Sequence, residues 1–213
     1  MTNLLFAKWN LPAIDKKAVL SSIIDLPDSC WFYEPYRNTK MLPLSTKNGS
    51  IGYKGTTNYQ SGDFTWTKFA SNIVKEWCND ILFPAMGMTT RIVILKTESF
   101  ASNNEHIDCD PIHQFSRQHK FRIVLQGRTD SLYFIKDQEN IAAPNIEEPF
   151  IMDGSWPHGM VNHENFTKYT FTAGAPWSGN ENYDNLTVML KRNDSELPKD
   201  YYRYYKNETT RMA

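Results

Sequence analysis

His106 and Asp108 stand two residues apart, His158 follows fifty residues after Asp108, and Lys168 comes ten residues after His158. Two imidazoles and one carboxylate are the donor set of the facial triad that holds non-haem Fe(II) and leaves coordination positions open. In an extended segment over residues 104–109, His106 and Asp108 project to one face and can reach a single ion, while Ile107 and Cys109 point the other way. An isolated His-x-Asp is ordinarily a surface pair, so its weight depends on partners. His158, in the strand-like stretch Trp156-Pro157-His158-Gly159-Met160, is the natural third ligand. A hairpin with residues 162–165 as its turn sets Lys168 across from His158, with Cβ atoms about 5 Å apart. A cation there opposes metal binding unless an anion lies between the two, which invites a dicarboxylate bridging metal and ammonium.

Lys168, Thr170 and Thr172 share one face of the following strand, and Tyr169, Phe171 and Ala173 share the other. The first face suits a ligand: the compact lysine charge pairs one carboxylate end and Thr170 supplies a hydroxyl. His113 and His119 have no spacing to Asp108 that improves on His106, and His163 falls in the expected turn as an exposed residue. Trp156 and Trp177 read as core or rim packing. The turn Asp153-Gly154-Ser155 aligns the strand that carries His158.

These residues need a scaffold of short strands. Candidates lie at 91–96, 120–125, 131–136, 149–153, 157–162 and 167–173, separated by Gly, Asn, Asp and Pro, which suggests an antiparallel sandwich or barrel. The N-terminal part is different. Residues 15–26 carry Val19, Leu20, Ile23 and Ile24 near helical spacing and stop at Pro27. Residues 33–63 read as loops with short strands. A helix is expected over 66–82, with Phe69, Ile73, Trp77 and Ile81 every fourth residue and Val74 widening the stripe. The expected organisation is one domain: a helical and loop buttress over 1–89, a β core over 90–177 and a polar, Tyr-rich extension over 178–213 that caps the domain or frays.

The chain has 213 residues and balances 23 Lys plus Arg against 24 Asp plus Glu, for a net charge of -1. That balance gives no general attraction to nucleic acid or to an anionic membrane. No leader-like start and no apolar run long enough to span a bilayer is visible. Cys30, Cys78 and Cys109 are odd in number with no C-x-x-C, so a reducing cytoplasm is expected rather than a disulfide framework. The Asn-x-Ser/Thr triplets at Asn48, Asn165, Asn185, Asn193 and Asn207 are read as chance products of an Asn-rich chain. Phosphate-loop, dinucleotide, nucleophile-elbow and zinc-protease signatures are absent.

His106-x-Asp108, His158, a cation ten residues later and the strand Lys120-Phe121-Arg122-Ile123-Val124-Leu125-Gln126-Gly127 resemble Fe(II)/2-oxoglutarate-dependent dioxygenases. The likeness is to the aspartyl/asparaginyl β-hydroxylase and proline hydroxylase-like branch, over residues 90–177. It implies a double-stranded β-helix, a cupin-like jelly roll, with Fe(II) held by His106, Asp108 and His158. It further implies 2-oxoglutarate anchored by Lys168 and Arg122, and O2-dependent hydroxylation of an aspartyl, asparaginyl or prolyl side chain, in a peptide or free amino acid, with release of succinate and CO2. Lys168 stands where that branch usually has arginine, and lysine serves the same role in other branches. Two alternatives remain: a cupin-like metalloenzyme that does not use 2-oxoglutarate, although cupin His-x-His spacing is absent, and a non-catalytic jelly-roll binding module.

Overall fold

Short apolar runs punctuated by turn residues become thirteen strands in the computed structural model. It describes residues 4–35, 37–51, 64–108, 119–136, 138–174, 184–192, 201 and 203–204. In chain order the strands are β1 (Leu4–Trp9), β2 (Phe32–Glu34), β3 (Thr39–Lys47), β4 (Phe64–Trp66), β5 (Arg91–Thr97), β6 (Ser102–His106) and β7 (His119–Gln126). They continue as β8 (Leu132–Lys136), β9 (Glu139–Ala142), β10 (Phe150–Asp153), β11 (His158–Val161), β12 (Lys168–Gly174) and β13 (Leu186–Lys191). Among the described residues the helical segments include α1 (Lys16–Ser21), α2 (Asn72–Trp77) and α3 (Phe83–Met86), the last two joined by a π-helical turn, Cys78–Leu82.

Nine strands form a major antiparallel sheet in the order β13-β1-β10-β7-β12-β5-β3-β2, with β4 on β3, and four form a minor sheet, β6-β11-β8-β9. Every described pairing between neighbours is antiparallel, and the two sheets make the expected double-stranded β-helix. One face of the major sheet, with Ile92, Ile94, Phe121, Ile123, Phe171 and Ala173, packs under Val19, Val74, Trp77 and Leu82 of the helical segments. The other face meets the minor sheet through Phe6, Val124, Phe134, Phe150, Met152 and Trp156. Because the major sheet is covered on both faces, β12 is buried along its whole length, and its polar residues lie inside the sandwich.

Three local expectations change. The helix expected over 66–82 begins only at Asn72: Phe64–Trp66 pair with β3, and the Thr67 hydroxyl donates to Pro43 O at 2.7 Å, holding the chain in a turn. Val74, Trp77 and Cys78 are buried while Ile73 is 39% exposed, and the π-helical turn that follows brings Leu82 to the buried side. Within residues 33–63, β3 is a nine-residue interior strand. Its Pro43 sits at an irregularity in the pairing with β5, where the missing N–H is tolerated.

The third change concerns the hairpin expected about His163. β11 belongs to the minor sheet and β12 to the major sheet, so the intervening residues cross between layers. Asn162, 1% exposed, fixes that crossing by donating to Phe166 O at 2.8 Å and to Glu98 O at 3.0 Å. His158 therefore faces His106 and Phe134, and Lys168 faces Thr97; the expected pairing of His158 with Lys168 does not occur.

Strands over 91–96, 120–125, 131–136, 149–153, 157–162 and 167–173 are present to within a residue or two at each end. β1 and β13 extend the major sheet from both ends of the chain. No described helix is long and apolar enough to cross a membrane. Cys30 and Cys78 are free thiols, and Cys109 lies outside the described residues.

Candidate metal centre

His106 ends β6 and His158 begins β11, and the pairing of these strands sets the two residues directly opposite each other. Cross-strand partners point to the same side of a sheet, so both rings face the interior, with centroids 4.5 Å apart. Asp108 follows His106 just beyond the strand, and its backbone N–H donates to Gly154 O at 2.7 Å. One carboxylate oxygen lies 3.5 Å from His106 Nε2 and the other 3.5 Å from His158 Nε2. One ligand atom from each of the three residues falls within 4.8 Å of the others. His106 is 4% exposed and His158 1%, so the cluster lies inside the sandwich.

The hydrogen bonds behind the rings orient the donors. His106 Nδ1 contacts Asn104 O at 2.7 Å and His158 Nδ1 contacts Trp156 O at 2.8 Å. A carbonyl oxygen only accepts, so each Nδ1 carries the proton, and in a neutral ring Nε2 keeps its lone pair toward the centre. Burial, the neighbouring His158 and the Arg37 charge push the His106 pKa down to about 4 despite Asp108, which keeps that ring neutral near pH 7. His158 Nε2 is buried and makes no hydrogen bond among the described residues. A divalent cation between the three side chains would satisfy it, and two imidazoles with one carboxylate suit Fe(II).

Asp108 sits among cations. Arg37 Nη2 donates to its Oδ1 at 2.8 Å, and Lys120 Nζ lies 3.8 Å from its Oδ2. Burial pushes the carboxyl up, but the Lys120 and Arg37 charges hold it well below the usual carboxylate range. Sequence reasoning missed both cations. Lys120 shares strand parity with Arg122 and could have been carried with it. Arg37, seventy-one residues from Asp108, gives no comparable signal.

The remaining expected residues lie on the inner face of the major sheet. Arg122 lies opposite Thr172 on β12 and Phe150 on β10, on the same face as Lys120 and one row away, about 7 Å along the sheet. Gly174 makes this packing possible, since a Cβ there would lie 3.0 Å from Lys120 Cδ. Thr170 and Lys168 follow further down the same face of β12, 4% and 2% exposed. The Thr172 hydroxyl is buried and has no hydrogen-bond partner among the described residues. Lys168 Nζ donates to Arg128 O and to Ser131 Oγ, the latter at 2.7 Å. Burial and the Arg122 charge push its pKa down to about 7, against the pull of Asp130 and Glu164.

His119 begins β7 and is buried, and His163 is exposed. Trp156 is a core residue whose indole donates to Ile135 O at 2.8 Å. His113 and Trp177 lie outside the described residues.

No family model matches the chain, and no curated protein matches it in sequence. Among solved structures it is similar to a prolyl hydroxylase from Trichoplax adhaerens in complex with a hypoxia inducible factor oxygen degradation domain peptide fragment. That likeness has 11% identity over 83% of this chain and 82% of that one, with a TM-score of 0.50. It is also similar to an oxidoreductase of the 2OG-Fe(II) oxygenase family from Burkholderia pseudomallei, at 11% identity over 78% and 80% and a TM-score of 0.49. A prolyl-4-hydroxylase from Pseudomonas putida aligns at 9% identity over 78% and 91%, with a TM-score of 0.47. What the likeness to the Trichoplax protein shows is a shared fold.

Proposed function

We propose that the chain is an Fe(II)- and 2-oxoglutarate-dependent dioxygenase that hydroxylates an unactivated C–H bond. The observation that carries this is the buried His106, Asp108 and His158 cluster, with its ligand atoms within 4.8 Å and Lys120 beside Asp108. His106, Asp108 and His158 would hold the metal, which with 2-oxoglutarate as electron donor would activate O2 as the oxidant. The protein's own part is geometric and electrostatic. The carbonyls of Asn104 and Trp156 fix the imidazoles, and Arg37 and Lys120 keep Asp108 ionised. Arg122 and Lys168 would neutralise the distal carboxylate of the co-substrate, with Thr170 and Thr172 offering hydroxyls on the same face.

Peptide or free amino-acid substrates bearing aspartyl, asparaginyl or prolyl groups fit this reading. The peptide bound by the Trichoplax protein supports a peptide in the corresponding place. The free thiols of Cys30 and Cys78 support a reducing, cytoplasmic setting.

Anaerobic titration with Fe(II), with and without 2-oxoglutarate, tests the assignment. A weak visible charge-transfer band should appear only when both are present and should vanish in Asp108→Ala. Metal binding without response to 2-oxoglutarate would point to a cupin-like enzyme of other chemistry. A chain that binds no metal, with ligand binding indifferent to His158→Ala, would be a binding module.

A further inference from the structure

Two of the three candidate ligands are tied to one short turn. Residues 153–156 join β10 to β11; Gly154 O accepts the Asp108 N–H at 2.7 Å, and Trp156 O accepts from His158 Nδ1 at 2.8 Å. Any rotation of these carbonyls would move a ligand. The turn is locked from within by Asp153, whose Oδ1 accepts from Ser155 N at 2.9 Å and from Ser155 Oγ at 2.5 Å.

It is also locked from the far end of the chain. Arg192, just past β13, donates from Nη1 to Asp153 Oδ2 at 2.7 Å and to Ser155 Oγ at 3.0 Å, with its guanidinium 5.1 Å from the Trp156 ring. The Tyr201 hydroxyl donates to Ser155 O at 2.8 Å. Tyr201 and Tyr204 pack with Ile107 and Ile135 in a separate apolar cluster. Ile107 is the residue between His106 and Asp108, so Tyr201 bears on both ligand arms: on one through the turn, on the other through packing.

We infer that Arg192, Tyr201 and Tyr204 are positioning residues which set the geometry of the metal centre from the C-terminal part of the chain; this rests on the metal-centre reading above. Asp153 and Arg192 are 0% and 5% exposed at their side chains. A buried ion pair adds little net stability over apolar packing. What it does supply is a fixed direction for its hydrogen bonds, and here those bonds define the turn that carries the ligand-holding carbonyls.

Co(II), a stand-in for Fe(II) with visible ligand-field bands, provides the test on the full chain. Its anaerobic titration reads affinity and coordination geometry, and melting of the metal-free protein is followed in parallel. Tyr201→Phe and Arg192→Lys are expected to weaken Co(II) binding about tenfold, the lower end of what outer-shell substitutions cost, and to alter the band shape. Substitution of exposed His163→Ala should leave both unchanged. Unaltered affinity and spectrum in the two variants, with only a lower melting temperature, would overturn the proposal and leave the metal centre standing. Absence of Co(II) bands in the unsubstituted chain would overturn the metal centre and the proposal with it. If Arg192→Lys does not fold, Tyr201→Phe, which deletes one hydroxyl and keeps the ring, decides alone.

Discussion

Asp108 keeps a negative charge where only 2% of its side chain meets solvent, and the cost of that burial is offset by Arg37 at 2.8 Å and Lys120 at 3.8 Å. Removing Arg37 should therefore matter most when no metal is bound. Arg37→Met is expected to lower the stability of the metal-free protein by about 2 kcal/mol, the scale of a hydrogen bond to a charged group. Saturating Co(II) should shrink the loss, because the divalent ion then compensates the carboxylate. Urea unfolding with and without metal checks this, and equal losses would count against it. Lys168 gives a second prediction. In the unfolded chain its ammonium titrates near 10.5, while in the fold burial beside Arg122 brings it to about 7. Between those values unfolding takes up a proton, so this group makes stability rise as pH rises from about 7 to 10.5. Lys168→Met should flatten the slope over that window, measured against the unsubstituted chain; an unchanged slope would refute the shift.

At the scale of elements, what could be read in advance depended on whether the signal was local. The strands from 91 to 173 were legible because alternating or β-branched runs end at turn residues, and the parity of Lys168, Thr170 and Thr172 against Tyr169, Phe171 and Ala173 follows from period two alone. The pairing of those strands was not legible. A short link such as 162–167 can close a hairpin or cross between layers, and the choice is made by Asn162, which donates to Phe166 O within the link and to Glu98 O, distant in sequence. The closeness of His106, Asp108 and His158 does not depend on that link, because β6 and β11 pair directly; the cation once set beside His158 lies elsewhere. β7 carries a further local constraint. It ends at Gly127, whose φ of +107° strains any residue with a side chain, and a Cβ there would lie 2.9 Å from Lys168 Cγ. Gly127→Ala is expected to cost about 1–3 kcal/mol from backbone strain. By displacing the Lys168 stem it should also weaken 2-oxoglutarate binding more than metal binding. Equal effects on both ligands would show that the lysine is not the element being moved.

Across the whole molecule, the outer core and the site occupy opposite faces of the major sheet. Phe121 anchors the outer side, with ring centroids 5.7 Å from Trp9 and 6.1 Å from both Trp77 and Phe171. Phe121→Ala should cost about 3–5 kcal/mol in stability, read by denaturation, while the folded fraction still binds metal, because none of these rings touches the triad. The inner face is different in charge. The chain as a whole carries a net charge of -1, yet register places Arg91 on β5 and Lys120 and Arg122 on β7, the two strands that flank β12 on that face, with Lys168 further along β12. A divalent cation entering alone adds positive charge to a cationic interior, and a dicarboxylate entering alone lacks its metal partner. Each should therefore favour the other, and by linkage the factor must be the same in both directions. Saturating 2-oxoglutarate is expected to tighten Co(II) binding about tenfold, within the usual range of such couplings. Glutarate has the same two charges but no keto oxygen to chelate, so it should reproduce only the electrostatic share. Co(II) titrations in the presence of each acid separate these contributions. Identical Co(II) affinity with and without either acid would mean that the interior cations do not read the charge of a bound ligand.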